Sequence, residues 1–231
     1  MSHARNHRLR VLAEQSAQDN QFGDIRPDAS VYQLQLIELK NDKSVLSGVK
    51  SEQLKAEAKA KIIPKHMPYV EGIMAADRKV DDEIVTTIML WCFDAGMFEQ
   101  GLKIAKFALK HELQMPDSFS RDTPSIVAEE IANAALTKIK AGESFDLDVM
   151  ISALDMTEKY DMHDQIRAKL NCDIGKTYLA EQHYSLAVLY MKKAIELQSN
   201  VGCKQDLNQA ERLLAKQLQE EQQDQPAVNP S

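Results

Sequence analysis

The chain has 231 residues with few glycines (8) and prolines (7), and its long Ala-, Leu-, Lys-, Glu- and Gln-rich stretches are those of a helical protein with one large or two small domains. No apolar run approaches the roughly 20 residues that span a bilayer, and the charged start "MSHARNHRLRVLAEQ" lacks the apolar segment of a secretory signal. The net charge of −7 argues against non-specific nucleic-acid binding by the whole surface, yet residues 1–66 hold 11 Lys and Arg against 8 Asp and Glu, so the acid excess lies in the remainder.

Residues 1–26 read as a flexible arm or a short helix carrying Arg5, Arg8 and Arg10. A basic helical region follows over 27–66. Its first helix starts with Ser30 as N-cap and packs through Val31, Leu34 and Ile37 or Leu39. "NDKSVLSG" interrupts it. Ser51 then caps a second helix with Glu52 in its first turn, a face of Leu54, Ala58 and Ile62, and an end at Pro64 and Pro68. Lys50, Lys55, Lys59, Lys61 and Lys65 on and beside this helix, with the three arginines, are the candidate DNA-binding residues. A lysine-rich helix is equally often just a solvated face.

Residues 67–218 read as a helical core with hairpins at 79–110 and 171–197, and 219–231 as a disordered polar tail. The acids Asp81, Asp82 and Glu83 precede the uncharged "TTIMLW", and Asp94 follows it. Asp82, Glu83 and Asp94 are the only candidates for a catalytic, Mg²⁺-binding set. At 1.5 Å per residue, however, Glu83 and Asp94 are about 16 Å apart along one helix, against about 4 Å between the metals of a nuclease. Cap and turn roles fit better, with Asp81 or Asp82 capping the helix. No cofactor is expected, and Mg²⁺ only if the chain cuts DNA itself.

The second hairpin places Gly175, Ala187 and Ala194 where two helices would cross, with Tyr184 just after the turn, the pattern of tetratricopeptide-like packing. Thr123 with Pro124 opens an intervening helix that Gly142 closes. Cys92, Cys172 and Cys203 form no CxxC pair and read as reduced, buried thiols. "GKT" at 175–177 lacks the first glycine of a phosphate loop, Leu170 standing there instead, and His3 and His7 lack a third metal ligand nearby. The fold class is all-α: helical hairpins preceded by a small basic helical N-terminal domain.

"HMPYVEG", "DDEIVTTIMLWCFDAGMFEQGLKIAKFALKHELQMP", "RDTPSIVAEEIANAAL", "AGESFDLDVM" and "DMHDQIRAKL" occur in that order before the second hairpin. In this the chain resembles the terminase small subunits of Peduovirus-type temperate tailed phages, a family also labelled terminase endonuclease subunit. The most specific piece is Leu90-Trp91-x-x-Asp94-x-Gly96 and the segment ending at Pro116. The resemblance implies binding to the cohesive-end packaging site of viral double-stranded DNA and work with a large ATPase subunit. It also implies assembly into a homo-oligomeric ring, in the host cytoplasm and without a membrane. The cutting role implied by the label has no nuclease motif to support it here and is carried as the activity of the complex. A competing reading is a helical-repeat adaptor that binds proteins and not DNA; it accounts for the second hairpin but not for the basic N-terminal third.

Overall fold

The computed structural model describes residues 3–19, 29–116 and 120–223, and among these there are ten helices and no strand, so the protein is all-α. No helix is long and apolar enough to cross a membrane among the described residues. The chain forms two compact units, Met1–Glu130 and Ile131–Ser231.

In the first unit, α1 (His3–Asp19) is a helix where the sequence left an arm open. Ala13, Ser16 and Ala17 are buried on one side of it, and α1 packs along α3 (Glu52–Ala76). The two backbones touch at Gly72: a Cβ there would stand 2.3 Å from the Arg10 carbonyl oxygen and 2.8 Å from Ala13 Cβ. Gly72→Ala is expected to destabilise the unit by about 1–3 kcal/mol, the usual cost of overpacking, because a backbone oxygen cannot swing aside as a side chain can. A melting temperature unchanged from wild type in differential scanning calorimetry would contradict this crossing.

Helix α2 (Ala29–Ser47) starts one residue before Ser30, whose side chain lies outside the described residues, and runs straight through the expected break. Asp42 accepts from Lys65 on α3 at 2.9 Å, and Leu46 is buried, so both halves of α2 are held. The expected packing stripe is wrong in part: Leu39 is buried, whereas Leu34 and Ile37 face solvent.

Ser51 caps α3 as expected, accepting from the Leu54 amide, but Leu54 is exposed, and the helix does not stop at the prolines. Each internal proline costs about 3 kcal/mol of helix propensity. Burial of Ile63, Tyr69, Val70 and Ile73 on the same helix, at about 1.5–3 kcal/mol each, outweighs that. The boundary expected at 66/67 therefore falls inside α3, and the basic N-terminal third is helical but shares one unit with α4 (Glu83–Asp94) and α5 (Phe98–Lys110).

The α4–α5 hairpin is close to its sequence reading. Asp82 caps α4, Glu83 is its first residue, and every residue from Ile84 to Met89 is buried. Helix α6 (Thr123–Lys140) is opened by Asp122, whose carboxylate accepts from the Ser125 amide, and not by Thr123, whose hydroxyl donates to the Leu113 carbonyl.

In the second unit, α7 (Leu147–Thr157) packs on α8 (Asp164–Ala180), which pairs with α9 (Tyr184–Leu197), and α10 (Lys204–Gln223) closes on α9. Gly175 lies against Met191 and the Ala187 carbonyl, and Ala187, Met191 and Ala194 are buried, as the small-residue pattern required. Helix α10 covers the first part of the expected tail; residues 224–231 lie outside the described residues. The three cysteines are free and buried.

Candidate nucleic-acid interface

The first unit carries the basic residues, and the fold divides them. Lys59 on α3 turns inward to Asp94 at the end of α4, 2.5 Å away. Lys65 is shared between Glu38 (3.2 Å) and Asp42 (2.9 Å) on α2, and Lys55 pairs with Glu52 one turn earlier on its own helix. Three of the five lysines are thus occupied by carboxylates, two of them tying α3 to neighbouring helices. Such a lysine reaches a phosphate only by giving up its partner.

Lys50, Lys61, Arg5, Arg8 and Arg10 are exposed and form no ion pair among the described residues. At about 100° per residue, Arg5 and Arg8 lie about 140° and 160° round α1 from Arg10. Arg10 instead faces a groove of about 520 Å³ between α1, α3 and the start of α5, beside His3, Asn6 and His7 and opposite Glu71. The i, i+4 spacing of the two histidines does set them on one face, though without a third ligand.

The three candidate catalytic acids do not meet. Asp82 is buried, accepts from the Ile84 amide at 2.9 Å, and receives the Tyr69 hydroxyl at 2.7 Å. Glu83 faces Lys43 at 3.8 Å, and Asp94 is held by Lys59. Each acid has its own partner, Tyr69 and Lys59 on α3 and Lys43 on α2. Among the described residues no three His, Cys, Asp or Glu side chains converge in a way that could hold a metal, these three acids included.

Two features were not legible in the sequence. Glu130 on α6 lies beside Asp94 and Lys59; burial first, and the Asp94 charge second, push its carboxyl above the ordinary value. His66 is fully buried with Nε2 2.8 Å from Asp42, its ring edge-on to Trp91. Burial holds its pKa down against the pull of Asp42. Both sets join residues at least 24 positions apart, and no local spacing announces them.

The model of the family described as "Phage small terminase subunit" matches residues 36–165. The chain is 34% identical over 213 residues to the "Terminase, endonuclease subunit" of Escherichia phage P2, covering 92% of this chain and 85% of that protein. It is 22% identical over 134 residues to the "Probable terminase, endonuclease subunit" of Haemophilus phage HP1, covering 58% of this chain and 48% of that one. No solved structure matches, so the likeness of the α8–α9 hairpin to tetratricopeptide packing rests on its residue pattern alone. The family match takes in α3, α4, α5 and α6 entire, with the five lysines and the three acids just described, whereas Arg5, Arg8 and Arg10 on α1 precede it; the P2 relative covers 92% of the chain, and the protein belongs to the phage small terminase subunit family.

Proposed function

We propose that this chain is the DNA-recognition subunit of a terminase. It binds the cohesive-end packaging site on viral double-stranded DNA in the host cytoplasm, self-associates, and with a large ATPase subunit directs cutting and packaging into proheads. The observation that carries the reading is the set of exposed cations that have no ion-pair partner among the described residues, Arg5, Arg8, Arg10, Lys50 and Lys61, in the basic third of an otherwise acidic family member. Lys55, Lys59 and Lys65 contribute less, because each already has a carboxylate.

Replacing all five exposed cations by alanine is expected to lower the salt slope of duplex binding by about 0.9 for each phosphate that is no longer neutralised. It should leave the helical circular dichroism spectrum unchanged, since none of the five is buried. Fluorescence anisotropy with cohesive-end DNA over a salt series measures the slope. Wild-type affinity and slope in the five-fold variant would remove these five residues from the DNA interface, and no binding by the wild type would favour the protein-binding adaptor instead.

The relatives' printed names carry the word endonuclease. We assign cutting to the complex, because Asp82, Glu83 and Asp94 are engaged separately. Mg²⁺-dependent nicking of cohesive-end DNA by the isolated chain, abolished in Asp94→Ala, would return the cutting to this subunit.

A further inference from the structure

Cys172 on α8 and Cys203 just before α10 share one buried cluster of the second unit with Ala187, Met191, Ala194 and Ala210. Cys203 is the N-cap of α10: its carbonyl accepts from the Leu207 amide at 2.8 Å. Its sulfur therefore stands at the positive end of a 20-residue helix. The thiol also donates to the Met191 carbonyl of α9 at 3.9 Å. Lys176, one turn on from Cys172, reaches Asp206 in the first turn of α10 at 3.8 Å, so an ammonium group spans α8 and α10 beside the two sulfurs. A helix N-terminus, a lysine and a second thiol are the three surroundings that make a cysteine reactive, and here they meet at one residue.

We propose that Cys172 and Cys203 form a reactive dithiol, which a peroxide converts to a disulfide and a dithiol reductant restores. Each thiol is the other's hydrogen-bond partner, and Cys203 is the more acidic of the two. Cys172 first, and Lys176 after it, hold Cys203 below its ordinary value, whereas the contact with Cys203 and then burial push Cys172 up. Cys203 is thus the nucleophile and Cys172 the resolving thiol.

The Cys203 thiolate attacks one peroxide oxygen. The O–O bond breaks, a sulfenic acid forms on Cys203, and the second oxygen leaves as hydroxide and takes a proton. The Cys172 sulfur then displaces the sulfenic hydroxyl, which leaves as water as the S–S bond forms. Two thiols and hydrogen peroxide give one disulfide and two waters: the sulfurs lose two electrons and the peroxide gains them. Both thiols are buried, yet Gly202 and Lys204 on either side of Cys203 are exposed. Opening of the 198–203 turn therefore admits a small oxidant without unfolding the unit. The disulfide encloses all of α9 in its loop and ties the first turn of α10 to α8, which restricts the unfolded chain and raises stability. Cys92 on α4 is the internal control, because burial alone acts on it and pushes its thiol up to about 12.

The full chain, reduced and freed of reductant, is treated with hydrogen peroxide, alkylated in denaturant and digested with trypsin. Cleavage after Lys169, Lys176, Lys193 and Lys204 leaves the two cysteines on peptides 170–176 and 194–204. These are expected joined, with Cys92 recovered alkylated. The melting temperature of the oxidised chain is expected to rise, and to return with dithiothreitol. In Cys172→Ser, dimedone is expected to trap a sulfenic acid on Cys203, and Lys176→Met is expected to slow oxidation several-fold. Two thiols that are merely buried side by side would show neither, and the wild-type peptide map decides the pairing even where a variant fails to fold. Oxidation of Cys92 as fast as the pair, linkage between two copies, or thiols that react only in denaturant overturns the dithiol. An unchanged rate in Lys176→Met overturns the part given to the lysine.

Discussion

Asp82→Ala is expected to lower the unfolding free energy by about 2–4 kcal/mol. Loss of an N-cap alone costs about 1 kcal/mol. Asp82 does more than cap: it is buried at the junction of α3 and α4 and accepts the Tyr69 hydroxyl at 2.7 Å as well as the Ile84 and Val85 amides. Removing a buried acceptor adds about 1–3 kcal/mol. Urea denaturation of Asp82→Ala, Tyr69→Phe and the double variant separates the two contributions, and the double should cost less than the singles added together. A loss of only about 1 kcal/mol, additive with Tyr69→Phe, would mean that Asp82 acts as a cap and nothing more. At temperatures where Asp82→Ala stays folded, cutting of cohesive-end DNA by the two-subunit terminase is expected to persist. A folded, DNA-binding variant that had lost cutting would make Asp82 catalytic.

Asp173→Asn is expected to stabilise the second unit at neutral pH. Asp173 is 2% exposed on the inner side of α8, and burial pushes its carboxyl up to about 6 from 3.8, although Lys176, Lys140 and Lys169 pull the other way. A folded-state pKa above the unfolded one means that the folded protein holds the proton more tightly between about pH 4 and pH 6. Stability from this group is therefore full below about pH 4, falls as pH rises through the window, and is lowest above pH 6. A shift of this size corresponds to about 3 kcal/mol at most. The asparagine variant should be more stable than wild type at pH 7 by up to that amount, and its advantage should shrink towards pH 4. Parallel pH profiles for the two proteins would show that Asp173 ionises without cost.

Much of the local structure was legible because it depends on neighbours in the chain. The Ser51 cap, the first-turn positions of Glu52 and Glu83, the buried run Ile84–Met89 and the close approach of α8 and α9 at Gly175 all follow from residues within a turn or two, or from a small side chain where two helices must cross. The errors share one cause. Pro64 and Pro68 break a helix in isolation, and "NDKSVLSG" reads as a break. In both places burial and ion pairs from distant residues outweigh a local preference worth a few kcal/mol.

The candidate binding residues divide along the same line. Residue type and charge asymmetry placed the cations in the first third of the chain and the acids around α4. They could not show which lysines are free, because Lys59 meets Asp94 across 35 positions and Lys65 meets Asp42 across 23. Nor could they show which side of α2 faces inward. Periodicity identifies an apolar stripe on a helix but not what covers it, and here Glu38 and Asp42 turn towards Lys65 while Leu34 and Ile37 turn to solvent. By itself the sequence determined that the protein is helical, the caps that open α3 and α4, and its kinship. The tertiary structure decided which charges remain available to a ligand, because pairing a charge depends on separation in space and not along the chain.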